Sequence, residues 1–171
     1  MNIDDNIDNS MELIFLELGK ALFICQALES SLCLLHAQMS HEESAGEPGS
    51  FEASWDFHSS KTLGQLVNAL RKRIDVPGDL SVFLETGIGI RNAIVHGYTS
   101  KNIGRLMDPT GRMEVGAELA DMKLEVKKRD VVINKLLDAF FAKYGFSNDD
   151  LKRNADVLWE RLNNSATRTV Q

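Results

Sequence analysis

Arg91, Asn92 and His96 stand within six positions of one another in a chain that has four histidines, and Tyr98 follows two residues later. An arginine is a permanently charged, rigid fork of hydrogen-bond donors, while a histidine gains or loses a proton near neutral pH. Together they offer an anion both a cation and a proton carrier. With Leu80 set at zero and about 100° per residue, Leu80, Phe83, Leu84, Gly87, Ile88, Ile90, Ile94, Val95 and Tyr98 fall within about 80° of one direction. Arg91 falls at about 20°, near the middle of that apolar face, where a guanidinium is costly unless it is paired or faces a polar cavity. Glu85, Asn92 and His96 lie along one edge, at about 120–160°. Arg91 and His96 are therefore about 140° apart and share no face of an ideal helix.

A helix over about 80–98 must carry these residues, with Asp79 as its cap after the Pro77-Gly78 break. A long helix over about 10–39 precedes it, because Ile14, Leu18, Ala21, Cys25, Leu28, Leu32, Leu35 and Met39 step by three or four. Glu29 and His36 fall inside that stripe, about 60° and 40° from Ile14. Glu29 is thus a candidate partner for Arg91 or His96, and the simplest reading of an Arg91–Glu29 pair is a buried ion pair that fixes packing. Between these helices, a shorter one over about 61–74 has Ser59 or Ser60 as its cap and Leu63, Leu66, Val67 and Leu70 inside. Residues 40–60 lose the period and read as a long loop anchored by Phe51, Trp55 and Phe57. Residues 99–116 read as a second long connection, with Asp108-Pro109-Thr110-Gly111 as a turn and a short hairpin pairing 103–107 with 112–115 as an option. The helical period returns over about 118–144 and stops at Gly145. A last short helix over about 148–163 follows, and residues 1–9 and the tail read as loose ends. The expectation is one all-α domain, an up-down bundle of about five helices.

Composition narrows the function. The chain has 171 residues, 43% hydrophobic and 26% charged, an ordinary balance for a globular protein able to bury its own core. Its longest apolar run, Ala21 to Cys25, is far short of the ~20 residues needed to span a bilayer. The acidic start shows no signal-peptide pattern, so a cytoplasmic protein is expected. Cys25 and Cys33 lie eight positions apart on one helix, cannot pair with each other, and fit a reducing compartment. His36, His41 and His58 lack a ligand set at zinc spacing, so neither metal nor cofactor is expected. The net charge is −6, which argues against a generally basic nucleic-acid binder. Charge is uneven, however. Residues 1–60 hold one base, Lys20, against eleven acids, whereas residues 61–112 hold eight bases and four acids. An anionic ligand would be drawn to the middle of the chain. Arg71-Lys72-Arg73 most simply completes a helix C-terminus, and would otherwise track an RNA backbone.

Arg91-Asn92-Ala93-Ile94-Val95-His96-Gly97-Tyr98 reads R-N-x-x-x-H-x-Y. In the second half of a helix, after a long helix and a short amphipathic one, it resembles the signature of the HEPN superfamily (higher eukaryotes and prokaryotes nucleotide-binding). The resemblance covers about residues 10–145 and implies a HEPN-like helical bundle. Many members are metal-independent endoribonucleases, often toxins of toxin–antitoxin or phage-defence systems. By that resemblance Arg91 would hold the scissile phosphate, His96 would act as general acid–base, and Asn92 would orient the ring or bind the phosphate. The attacking group would be the RNA 2′-OH. Such ribonucleases are usually homodimers with the two motifs near the interface, and Gly87 and Gly89 would let another helix approach closely. In one toxin branch a minimal nucleotidyltransferase silences its partner by attaching AMP to the tyrosine at the place of Tyr98, which makes Tyr98 a modification candidate and such an antitoxin a possible partner. Glu29 and Glu85 would support the site. A non-catalytic nucleotide- or protein-binding module is the alternative.

Overall fold

The computed structural model describes residues 8–143, with side chains from Ser10. Contacts divide the chain into two units, Met1–Ile133 and Asn134–Gln171; of the second, only residues 134–143 are described. The described residues are helical, with no strand, in agreement with an all-α chain. Gly145, the segment 148–163 and the first seven residues lie outside them. Among the described residues, no helix is long and apolar enough to cross a membrane.

The longest element, α1 (Asp8–Glu43), runs unbroken because no proline interrupts it and its apolar stripe faces inward. Ile14, Ala21, Cys25, Leu28, Leu32 and Leu35 are all buried, as the spacing predicts. A tight turn then reverses the chain into α2 (Ser50–Ser59). This corrects the loop expected over 40–60. Phe51, Ser54, Trp55 and His58 step by three and four toward α1, but two of the four are polar, so the stripe is faint in sequence. Both make contact with α1: Ser54 Oγ donates to Ser40 Oγ at 2.9 Å, and the His58 ring stacks on His36 with centroids 4.3 Å apart, its Nδ1 buried without a hydrogen-bond partner among the described residues.

Next comes α3 (Leu63–Arg73), capped by Thr62 rather than Ser59 or Ser60. Thr62 and Gln65 form a reciprocal capping box, with each side chain taking the other's backbone N–H. Leu63, Leu66, Val67 and Leu70 are buried as expected. The helix that bears the motif, α4 (Gly78–Val95), ends three residues before the expected boundary. Two single turns follow, α5 (Tyr98–Lys101) and α6 (Ile103–Leu106), so residues 103–107 form no hairpin strand. Then α7 (Pro109–Lys143) begins about nine residues early. The Asp108-Pro109 pair starts a helix instead of making a turn. Proline is well placed in a first helical position, and Asp108 Oδ2 accepts the Gly111 N–H at 2.9 Å.

Pairings fix the direction of each helix. His41–Ser50 and His36–His58 set α2 antiparallel to α1. Contacts of Leu66 with His36 and of Arg73 with Ser40 set α3 parallel to α1. Arg71 on Glu85 and Ile88 on Gly64 turn α4 back. At its start α7 packs Val115 and Leu119 with Ile14, Tyr98 and Leu106. Further along, Ser31 of α1 donates to Asp130 of α7 at 2.8 Å.

One glycine of α4 has a partner inside the chain. A Cβ at Gly87 would sit 2.5 Å from Arg129 Cδ and 2.9 Å from its Nε. Gly87 therefore makes room for Arg129 of α7, not for a helix of another copy. At Gly89 a Cβ would meet nothing within 4 Å.

Candidate functional site

Three side chains meet where α4 stops. The stop is set by Gly97, whose φ of 87° lies in the left-handed region that glycine enters at least cost. His96 is the residue just before it. Its N–H still bonds Asn92 O at 2.9 Å, but its φ of −111° and ψ of 85° leave the helix. That exit resolves the angular problem of the motif. On a continued helix His96 would point about 140° from Arg91; here Arg91 Nη1 lies 3.3 Å from His96 Nε2. The same nitrogen donates to Asn92 Oδ1 at 3.4 Å. The expectation of a helix through residue 98 missed this, although a glycine at the end of an apolar period is a helix-stop signal.

Glu29 supplies the anchor. Arg91 Nε donates to Glu29 Oε1 at 2.8 Å, and the two side chains are 14% and 21% exposed. This is the pairing anticipated from the two apolar stripes. It leaves Arg91 Nη2 without an acceptor among the described residues. Held through Nε, the guanidinium turns its outer edge toward Asn92 and His96, which are both exposed. In the Arg91–His96 contact the guanidinium can only donate, so His96 Nε2 is the acceptor.

Glu85 stands elsewhere. Its carboxylate pairs with Arg71 at 2.9 Å rather than with the motif, because Glu85 lies well up α4, where α3 passes. Tyr98 also leaves the group, since it follows the left-handed Gly97 and belongs to α5. It is buried with Ile14, Leu106, Val115 and Leu119, and its hydroxyl donates to Glu118 Oε2 at 3.1 Å and Val115 O at 3.4 Å. Burial, and then the Glu118 carboxylate, push its pKa up to about 12.

The basic middle of the chain is largely used internally. Arg71 holds Glu85 and Ser81 O, and Arg73 holds Glu43, Ser40 and the backbone of His36. Arg105 bridges Glu114 and Glu118, while Arg112 bonds Leu106 O and Ser10. Lys72 and Lys101 are exposed. Arg71-Lys72-Arg73 is thus a helix end whose arginines are tied into the bundle.

One buried charged group, Arg129, escaped the sequence reading, while His36 is buried as its place in the α1 stripe implies. Arg129, 3% exposed, donates to Phe83 O at 3.0 Å and to Glu125 Oε2 at 2.8 Å, and its guanidinium lies 4.2 Å from the Phe83 ring centroid. His36, fully buried, bonds Leu66 O through Nε2 at 3.0 Å and meets Arg73 Nη1 through Nδ1 at 3.3 Å. Burial lowers the pKa of His36 and takes that of the stacked His58 down to about 4. Both cysteines are free and buried, and burial pushes the Cys25 thiol up to about 11. Among the described residues, no three His, Cys, Asp or Glu side chains gather as a metal-binding group.

A polar cleft of about 310 Å³ opens beside the anchor, with Glu29 in its wall. A larger apolar groove lies between Phe15, Leu16 and Phe23 of α1 and Leu124 of α7. No protein-family model matches the chain, and comparison with curated proteins and with solved structures returns no significant match.

Proposed function

We propose that the chain is a metal-independent endoribonuclease of the HEPN type, working as a homodimer in the cytoplasm as a toxin or defence effector. One observation carries the reading. A guanidinium anchored by Glu29 presents an unpartnered nitrogen and an exposed imidazole at the same helix end.

In this chemistry Arg91 Nη1 and Nη2 take two oxygens of a phosphodiester, a geometry that suits a planar fork of donors. The incoming oxygens replace Asn92 and His96 as acceptors, which frees His96 Nε2. That nitrogen removes the proton of the RNA 2′-OH. The 2′ oxygen forms a bond to phosphorus, the bond from phosphorus to the 5′ oxygen breaks, and the leaving oxygen takes a proton from an imidazolium. The products are a 2′,3′-cyclic phosphate and a 5′-hydroxyl. Asn92 keeps the ring or the phosphate in place. The second copy of the chain supplies the other imidazole, so that one acts as base and the other as acid. DNA lacks the attacking hydroxyl and is inert. A nucleotidyltransferase antitoxin that attached AMP to Tyr98 would first have to draw its hydroxyl away from Glu118 and Val115.

A second reading has its own support. Arg91 is mostly covered and paired through Nε with Glu29, as in a structural pair inside a nucleotide- or protein-binding module. Cleavage of total RNA in EDTA by the purified protein and by its His96→Ala variant separates the two. The ribonuclease reading expects cyclic-phosphate ends that disappear in the variant. Equal cleavage by both proteins, or none by either, favours the binding module.

A further inference from the structure

We infer that the cleft beside Glu29 is a nucleobase pocket, selective for bases that carry an exocyclic amino group. The choice of ligand rests on the RNA chemistry proposed at Arg91; the pocket itself rests on its walls. Its volume, about 310 Å³, is at the lower end for small-ligand sites. Trp55 of α2 forms one wall, and stacking on an aromatic face is the common way to hold an unpaired base. The side chains of Gln26, Ser30 and Glu29 also line the cleft, and together they offer a base both donors and acceptors. Lys61 stands at the rim with Nζ 4.3 Å from the Phe57 ring centroid, a cation placed for a sugar–phosphate chain.

Selectivity follows from the acceptors. Glu29 gives Oε1 to Arg91 and keeps Oε2 for another donor. A carboxylate oxygen can only accept, which favours adenine, guanine or cytosine, whose exocyclic amino groups donate, over uracil, whose exocyclic groups are carbonyl oxygens. Because Glu29 touches both the cleft and Arg91, a base in the cleft lies next to a phosphate on Arg91. The pocket would therefore choose which phosphodiester is cut.

The chain has two tryptophans, Trp55 and Trp159. A Trp159→Phe variant makes Trp55 the sole reporter for titration with AMP, GMP, CMP, UMP and ribose 5-phosphate. Saturable quenching by the three amino-bearing nucleotides is expected, with UMP at least about fivefold weaker and ribose 5-phosphate silent. Adding Ser30→Leu, an exposed position whose new side chain fills the cleft, should weaken binding at least about tenfold with no change in melting temperature. Quenching by ribose 5-phosphate equal to that by nucleotides would overturn the base pocket, as would no quenching at about 20 millimolar nucleotide. Equal response to UMP would overturn the selectivity. Base binding without RNA cleavage leaves the pocket standing and removes the ribonuclease; cleavage with no nucleotide-dependent quenching does the reverse.

Discussion

Replacing Gly87 by alanine sets two opposed effects against each other. Alanine gains about 1 kcal/mol over glycine in a helix interior. Against that, the new methyl would stand 2.5 Å from Arg129 Cδ, closer than carbon atoms pack. Arg129 has little freedom to yield, since its head is held by Phe83 O and Glu125 and stacks on the Phe83 ring. Overpacking of this kind costs about 1–3 kcal/mol, and tearing the guanidinium from a partner costs about 1.5–3 kcal/mol. The clash wins, and Gly87→Ala should destabilise by about 2 kcal/mol, roughly 4–8 °C in melting temperature. Gly89→Ala is the control. It lies in the same helix with nothing within 4 Å, so it should gain up to about 1 kcal/mol. Combining Gly87→Ala with Arg129→Met, whose side chain can bend aside, should recover most of the loss and show a coupling energy of about 1–2 kcal/mol in urea titrations followed by circular dichroism. If Gly87→Ala melts at or above the parent, Arg129 does not seat on Gly87. The glycine would then be available to a second copy.

Gly97→Ala should cost about 1–2 kcal/mol, because an L side chain is strained at a φ of 87° and its Cβ would meet Ser100 Oγ at 3.3 Å. By shifting His96 it should also remove RNA cleavage, measured beside the melting curve; full activity would refute the role of the helix stop. Acid should loosen the bundle through His58, whose folded pKa of about 4 lies below its ordinary 6.5. Its contribution is complete above about pH 6.5 and is lost as pH falls toward 4, about 2 kcal/mol of it by pH 5. The urea midpoint of His58→Phe should accordingly fall less between pH 7 and pH 5 than that of the parent, and parallel curves would contradict this. Glu29→Gln keeps the shape of the anchor but removes its charge, and should lower cleavage at least about tenfold while costing about 1–3 kcal/mol in unfolding titrations.

The sequence alone determined the parts that rest on local repetition. The α1 stripe, the buried face of α3 and the all-helical class follow from residues spaced by three and four, because a helix buries what shares its face. It also marked Glu29 as a candidate partner for Arg91 or His96, since a carboxylate and a guanidinium set in two apolar stripes have few other ways to be buried, and the structure pairs it with Arg91. Tertiary structure decided the rest. α2 is helical because polar Ser54 and His58 find Ser40 and His36 on α1, partners that no local pattern announces. Glu85 went to Arg71 because α3 crosses α4 at that level. Gly87 serves Arg129, forty-two positions away, and such a contact exists only once both helices are in place. The meeting of His96 with Arg91 belongs to both levels: Gly97 is written in the sequence, but one glycine among several becomes a stop only where the backbone actually turns left-handed, and that turn brings the imidazole back to the guanidinium.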